Sequence, residues 1–141
     1  MPKRNKTFTQ LQKDRFAKEA FAFIKQYFQH ALRGLESQDS DAQTDFTDIN
    51  ILEFEGKIYV QENIKCGCRI WLGEPNTIYY SEELRRFGQG NSYNDYLTVE
   101  DNGEELRLRI SGMAISIVVD ERSVPKEKAA EYLWRRLTSR L

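Results

Sequence analysis

The stretch Tyr96-Leu-Thr-Val-Glu-Asp-Asn-Gly-Glu-Glu-Leu-Arg-Leu-Arg-Ile110 decides the fold, because two alternating runs flank an Asn-Gly pair. Residues 96–100 and 105–110 alternate apolar and polar side chains, which is the period of a half-buried strand. Asn-Gly between two such runs is the strongest short-range signal for a β-hairpin. We therefore expect two antiparallel strands joined by a turn at Asn102-Gly103.

The same period of two extends the sheet in both directions along the chain. We predict a strand from residue 48 to a tight turn at Glu55-Gly56, then strands over 58–64, 66–72, 77–81 and 114–119. In the strand over 66–72, the even-numbered residues share one face, and Arg69 and Trp71 lie on the other. Short turns between these strands require antiparallel neighbours, because a parallel pair needs a long crossover.

Helical periodicity marks both ends of the chain. Apolar residues recur at spacings of three and four from about Thr9 to Leu35, and again from Ala130 to Leu141. Ser123 is the expected N-cap of the second helix. Two long apolar stripes need one flat surface on which both can be buried.

These elements predict a single α+β domain over residues 1–141. We expect a meandering antiparallel sheet of six or seven short strands, with a long N-terminal helix and a C-terminal helix packed on one face. Residues 1–8 are expected to form a flexible basic N-terminus, and residues 36–47 an acidic loop.

The supply of reactive side chains is small, since the 141 residues include one histidine and two cysteines. A zinc site normally needs three or four His, Cys or carboxylate ligands, and a Ser-His-Asp arrangement would have to use His30. Cys66 and Cys68 fall on the core face of their strand, where cysteine acts as a small hydrophobe. We expect no metal and no cofactor, and a binding protein rather than an enzyme.

Charge and hydropathy limit the partners. The net charge is −1, from 21 basic and 22 acidic residues, so we expect neither nucleic acid nor a membrane surface as a partner. The chain contains no apolar run of the roughly 18 residues that a membrane span needs, and its basic start lacks the apolar segment of a signal peptide. We expect a cytoplasmic location.

One weak pattern suggests an enzyme. Asp45 or Asp48, followed by Glu55-Gly56-Lys57, loosely matches the D…ExK pattern of Mg²⁺-dependent nucleases, in which two carboxylates hold the metal and a lysine assists the attacking water. The expected turn at Glu55-Gly56 argues against this alternative, since it would place Glu55 and Lys57 at a loop tip.

The segment over residues 82–95 is a candidate site for a small nucleotide-like anion. It is long and rich in glycine, and loops of that kind often carry function. Arg85 and Arg86 could bind the anion, while Tyr93 and Tyr96 could stack on a ring. A plain exposed loop is the competing interpretation.

A second candidate surface is the sheet face opposite the cysteines. Tyr59, Trp71 and Tyr79 are predicted to share it, and helices that cover one side of the sheet would leave these rings exposed. This favours a protein partner, and a homodimer is one form that such a partnership could take.

The segments Cys68-Arg-Ile-Trp-Leu-Gly73, Ile78-Tyr-Tyr-Ser81 and 91–101, together with the helix around Ala129-Ala-Glu-Tyr-Leu-Trp134, resemble an uncharacterised small α+β module. Such modules occur beside effector domains, including TIR domains, in bacterial proteins. The resemblance runs from about Phe16 onward and rests on turn and strand residues. It implies a non-catalytic binding or regulatory module.

Overall fold

The computed structural model describes residues 7–82, 93–112, 122–139 and 141. Over these residues the elements are α1 (Gln10–Gln38), β1 (Ala42–Asn50), β2 (Glu53–Val60), β3 (Asn63–Gly73), β4 (Thr77–Ser81), β5 (Asp95–Asp101), β6 (Leu106–Gly112), β7 (Ser123–Val124) and α2 (Lys126–Thr138). The seven described strands form one antiparallel sheet in chain order. The predicted α+β meander is confirmed.

Both helices pack on the same face of the sheet and bury their apolar stripes there. Phe28 lies at the centre of this core, with its ring 5.7 Å from that of Phe54 on β2 and 5.5 Å from that of Trp134 on α2. The other fully buried residues around it include Phe21, Ile24, Leu32, Ile58, Ile70, Ile78, Tyr80, Leu97, Leu108, Ile110, Leu133 and Leu137. Truncating a ring such as that of Phe28 to alanine typically costs about 3–5 kcal/mol. The face opposite the helices, which we call the open face, carries the alternate residues of each strand.

The acidic loop predicted for residues 36–47 is wrong, because α1 continues to Gln38 and β1 begins at Ala42. The Glu36 carboxylate accepts hydrogen bonds from the Thr44 backbone N–H, at 2.6 Å, and from the Thr44 hydroxyl, at 2.8 Å. On the same strand, the ring of Phe46 stacks on Phe54 at 5.4 Å. Contacts from α1 and β2 thus hold an edge strand whose polar composition is typical of a loop.

The tight turn predicted at Glu55-Gly56 is also wrong, since both residues lie in the middle of β2. Gly56 fits the close packing there and marks no bend. A Cβ at this position would lie 3.2 Å from Leu32 Cδ1 of α1. The glycine therefore allows the long helix to approach the sheet closely.

The turn between β2 and β3 lies instead at Gln61 and Glu62, whose φ angles are +51° and +70°. This is the left-handed region that a tight hairpin turn requires, and neither residue type signals it in the sequence. The register shifts just before this turn, so that Ile64 pairs with Tyr59 on the open face. Ile64 is exposed there, although simple alternation predicts it on the core face.

The second helix begins later than predicted. Ser123 is not its N-cap, because it pairs with Arg109 as part of β7. Pro125 takes the N-cap position with φ −72° and ψ 165°, and no side chain caps the helix. The strand predicted over 114–119 lies outside the described residues, as do the first six residues of the predicted N-terminal tail. No helix in the described ranges is long and apolar enough to cross a membrane.

Asn94 forms hydrogen bonds with Tyr80, near the end of β4, and with Glu82, which follows that strand. The backbone N–H of Glu82 donates to Asn94 Oδ1 at 2.8 Å, and the Asn94 N–H donates to the Tyr80 carbonyl at 2.8 Å. These bonds continue the pairing of β4 with β5 beyond its last ladder pair, Tyr80 and Asp95.

Candidate functional site

Three aromatic residues lie side by side on the open face. Trp71 on β3 is directly opposite Tyr79 on β4, which in turn is directly opposite Tyr96 on β5. The rings of Trp71 and Tyr79 are stacked, with centroids 5.2 Å apart and planes inclined by 21°. Directly opposite residues of an antiparallel sheet are close enough to stabilise each other in this way.

Tyr93 joins these rings from the residues that precede β5. Its ring centroid lies 4.8 Å from that of Tyr79 and 5.6 Å from that of Tyr96, the latter in an edge-to-face arrangement at 82°. Tyr93 is 48% exposed, whereas the other three residues are half-buried. Trp71, Tyr79, Tyr93 and Tyr96 therefore form a continuous set of rings, which we call the aromatic row.

A cation and a carboxylate close one end of the aromatic row. The Arg69 guanidinium lies 4.2 Å from the centre of the Trp71 ring, and one of its nitrogens is 3.6 Å from Glu53 Oε2. Arg69 is only 5% exposed, although it lies on the face away from the helices. Its charge is compensated within the chain, by the carboxylate and by the face of the indole ring.

Tyr59 shares the open face with Trp71 and Tyr79 but lies apart from the aromatic row. The residue of β2 that pairs with Trp71 is Glu53, and Tyr59 is six positions further along that strand. At about 3.3 Å per residue, this separates Tyr59 from the row by roughly 20 Å. The structure thus brings two of the three predicted partner-binding residues into contact.

Tyr93 and Tyr96, which the sequence assigns to the anion site, lie against each other, and Tyr93 also lies against Tyr79. Arg85 and Arg86, the proposed anion ligands, lie outside the described residues. The anion site therefore stays a prediction. The signal that could have linked Tyr96 to Trp71 is strand alternation combined with the order of the meander, which places β3, β4 and β5 next to one another.

The carboxylates of the nuclease pattern are divided between the two faces of the sheet. Asp45 pairs with Lys57, and Glu55 pairs with Thr47, so that these side chains share the open face in mid-strand rather than at a loop tip. Asp48 lies on the other face, where its carboxylate is 2.6 Å from the Lys25 ammonium. Among the described residues, no group of three His, Cys, Asp or Glu side chains could hold a metal ion.

The histidine and the two cysteines do not lie together. Cys66 and Cys68 are buried in the core, as predicted, and burial raises the pKa of the Cys68 thiol well above its ordinary value. A thiol in that state is a poor nucleophile, because the thiolate is the reactive form. His30 is exposed on α1.

Sequence reasoning missed a buried polar cluster beneath β4 and β5. Asp95 is fully buried, and its Oδ2 accepts hydrogen bonds from the Tyr132 hydroxyl at 2.7 Å and from Arg136 Nε at 2.9 Å. The Arg136 guanidinium also lies 3.7 Å from Glu82 Oε1. The cluster ties α2 to the end of β4 and the start of β5. The sequence gives no signal for Asp95, because it follows a polar stretch in which an aspartate is expected to be exposed.

Burial and hydrogen bonding shift the pKa values of this cluster. Burial, followed by the hydrogen bond to Asp95, raises the pKa of Tyr132, so the phenol stays protonated. Burial alone would lower the pKa of Arg136, but the hydrogen bond and charge of Asp95 outweigh it and raise the value. The cluster therefore contains a permanent cation and a phenol that does not ionise near neutral pH, which suits a structural role better than proton transfer.

Comparisons with known proteins give a family for the chain. Residues 43–139 match the model of a family described as Y4lF protein domain, which runs from β1 to the end of α2. The Uncharacterized protein y4lF of Sinorhizobium fredii (strain NBRC 101917 / NGR234) is 28% identical over 130 residues. That alignment covers 92% of this chain and 40% of the relative, so the chain spans less than half of the relative's length. No solved structure matches the chain at a significant level.

Proposed function

The chain belongs to the Y4lF protein domain family, and we propose that it is a binding module, which engages a protein partner through the aromatic row. The observation that carries this proposal is the unbroken contact among Trp71, Tyr79 and Tyr96, on three neighbouring strands, and Tyr93, two residues before β5. Aromatic rings supply contact area rather than nucleophiles or general bases. For that reason we propose binding rather than catalysis.

The residue types of the row support this function. Trp, Tyr and Arg carry most of the binding energy at protein interfaces, and they do so from well-packed central positions. Tyr and Trp also supply large contact areas at low cost in side-chain entropy, because they have only two rotatable side-chain bonds. In the row, contacts with neighbouring rings restrict these side chains before a partner arrives, and such preorganisation increases affinity.

The charges around the row define the chemistry of the partner. The guanidinium of Arg69 is already compensated by Glu53 and Trp71, so the row presents rings and phenol hydroxyls rather than free charge. We infer that the partner contributes a flat apolar surface carrying hydrogen-bond acceptors for the Tyr93 and Tyr96 hydroxyls.

We place this binding in a bacterial cytoplasm and in a regulatory role. The relative is a bacterial protein with more than twice the length of this chain, which is consistent with a module that works beside other domains. The resemblance to modules found beside effector domains such as TIR points the same way. Buried cysteines fit a reducing compartment.

The test combines affinity purification with a direct titration. Partners captured by the wild-type chain are identified, purified and titrated calorimetrically against the wild-type, Trp71→Ala and Tyr93→Ala chains. We expect each substitution to weaken binding about 30-fold, which corresponds to the roughly 2 kcal/mol of an interface hot spot.

Tyr59→Ala is the matched control, because it removes the same kind of ring from the same face at a distance from the row. It is expected to change affinity by less than about threefold. Thermal melts followed by circular dichroism check that all variants fold. Partners that bind the Trp71→Ala and Tyr93→Ala chains as tightly as the wild type would refute the proposal.

A further inference from the structure

A groove crosses the outer surface of the two helices, on the side of the molecule opposite the aromatic row. One part of it, with a volume of about 490 Å³, is lined on α1 by Phe23, Gln26, Tyr27, His30 and Ala31. A second part, of about 390 Å³, is lined by Tyr27 and, on α2, by Lys128, Glu131, Trp134 and Arg135. Tyr27 lines both parts, and we call the two neighbouring parts together the interhelix groove.

The floor of the interhelix groove is largely apolar on α1, and on α2 the Trp134 ring lies among charged side chains. The Phe23 and Tyr27 rings lie 6.4 Å apart, and Trp134 packs edge-to-face on the buried Phe28 at 5.5 Å. Phe23, Tyr27 and Trp134 remain half-buried rather than fully covered by the chain. Aromatic residues fixed by the core and still partly accessible are typical anchors of protein interfaces.

The rim of the groove on α2 is cationic. Lys128 and Arg135 are exposed there, and the Lys126 ammonium lies 5.4 Å from the centre of the Phe23 ring. Glu131 is the carboxylate of this lining, and it lies 3.4 Å from the Lys128 ammonium. The whole chain has a net charge of −1, so the positive charge of this rim is a local feature of α2.

We propose that the interhelix groove binds an acidic amphipathic helix of a protein partner. An amphipathic helix places apolar side chains at positions i, i+3, i+4 and i+7 along one face, which suits a groove with aromatic side chains on its floor. Glutamate or aspartate residues beside that apolar face would meet Lys126, Lys128 and Arg135, and this complementarity gives orientation and specificity. The module would then join two partners, one on each side of its sheet.

The two tryptophans of the chain report on the two surfaces separately, since Trp71 lies in the aromatic row and Trp134 in the groove. A Trp71→Phe chain retains only the groove tryptophan, and a Trp134→Phe chain only the row tryptophan, each excited at wavelengths that tyrosine does not absorb. Each is titrated with a synthetic acidic amphipathic peptide of about 18 residues, which forms a helix of about 27 Å. Two comparison peptides replace its Glu residues by Lys or scramble its apolar positions.

We expect the acidic peptide to shift the emission of Trp134 in the Trp71→Phe chain and to leave Trp71 unchanged in the Trp134→Phe chain. The charge reversals Lys128→Glu and Arg135→Glu should each weaken binding about tenfold, and added salt should weaken the wild-type complex. Lys65→Glu, the same charge reversal at an exposed position on β3, is the matched control and should leave the affinity unchanged.

Four results would overturn the proposal. The first is equal binding of the acidic, basic and scrambled peptides, and the second is a charge reversal on α2 that has no effect. The third is a single-stranded oligonucleotide that binds the groove more tightly than the peptide. The fourth is a concentration-dependent dimer that Tyr27→Arg dissociates, which would assign the groove to a second copy of this chain. An acidic peptide that leaves the Trp134 emission unchanged would also overturn the proposal for the groove, and it would not affect the separate test of the aromatic row.

Discussion

The ring of Tyr79 occupies the space that a side chain at Gly73 would need. A Cβ at position 73 would lie 3.0 Å from Tyr79 Cε2 and 3.8 Å from Trp71 Cδ1. The Tyr79 ring leans along β3 towards the following turn, where its hydroxyl donates to the Glu74 carbonyl at 3.4 Å. The stacking of the aromatic row therefore depends on a residue that has no side chain.

Gly73→Ala should displace the Tyr79 ring and disturb its stacking on Trp71. A contact of 3.0 Å is tighter than a Cβ normally makes, and the Tyr79 ring can shift at lower cost than the backbone, so we expect a stability loss of only about 1 kcal/mol. The emission of Trp71, measured in a Trp134→Phe background, should change with the stacking. An unchanged Trp71 spectrum would contradict the prediction.

Gly34→Ala should have the opposite effect on stability. Gly34 lies within α1, and nothing approaches within 4 Å of the position that its Cβ would take. Alanine in a helix is more favourable than glycine by about 1 kcal/mol, because it restricts the unfolded chain. Urea unfolding should show a higher midpoint at an unchanged slope. A lower midpoint would indicate a contact that the structure does not show.

Arg136→Ala should be strongly destabilising, with a loss of about 3–5 kcal/mol, because it leaves the fully buried Asp95 carboxylate without its cation. Tyr132→Phe removes one neutral donor from the same carboxylate and should cost about 1–3 kcal/mol. Both values are read from urea unfolding. Equal losses for the two variants would mean that the ion pair contributes no more than the phenol hydrogen bond.

The free energy of unfolding should fall in acid, because two carboxylates of α1 accept hydrogen bonds from other elements: Glu36 from β1, and Asp14 from the turn between β3 and β4. Hydrogen bonds from Thr44 lower the pKa of Glu36 below 4.5, and hydrogen bonds from Asn76 and then Gln10 lower the pKa of Asp14 below 3.8. A carboxyl whose pKa is lower in the folded state stabilises the fold above its unfolded pKa and loses that contribution as the pH falls through the folded value.

The comparison is between the wild type and a Glu36→Gln/Asp14→Asn chain, each unfolded in urea over a series of pH values. The wild type should be the more stable near neutral pH, since a carboxylate accepts stronger hydrogen bonds than an amide. The difference should narrow as the pH falls below about 4. A difference that stays constant down to about pH 2 would show that neither carboxylate is linked to folding.

The parts of the fold that the sequence predicts correctly are those in which local and tertiary preferences agree. The Asn102-Gly103 turn is one, since Gly103 has a φ of +87° and Asn102 Oδ1 accepts hydrogen bonds from the N–H groups of Glu104 and Glu105. The strand over 77–81 and the alternation of Arg69 and Trp71 with the core residues of β3 are others.

The errors occur where tertiary contacts override local preference. Glycine is a residue type common in turns, yet Gly56 lies in the middle of a strand, where the absence of a side chain leaves room for Leu32 of α1. The residues of β1 are polar and acidic, as edge strands often are, and its contacts with Glu36 of α1 and with β2 are not visible in its own composition. For the candidate site, strand alternation places Trp71 and Tyr79 correctly on one face. The distance of Tyr59 from them could not be predicted, because β2 ends at a turn, Gln61 and Glu62, that contains neither glycine nor asparagine.

The hydrogen bonds of Asn94 have a consequence for changes in the segment that precedes it. Since the Glu82 N–H donates to Asn94 and the Asn94 N–H donates to Tyr80, the bonds that close the β4–β5 pair involve none of the eleven residues between Glu82 and Asn94. Lengthening a loop with fixed ends costs only about 0.6 kcal/mol per doubling. Replacing the residues between Glu82 and Asn94 would therefore leave the bonds that join β4 to β5 in place.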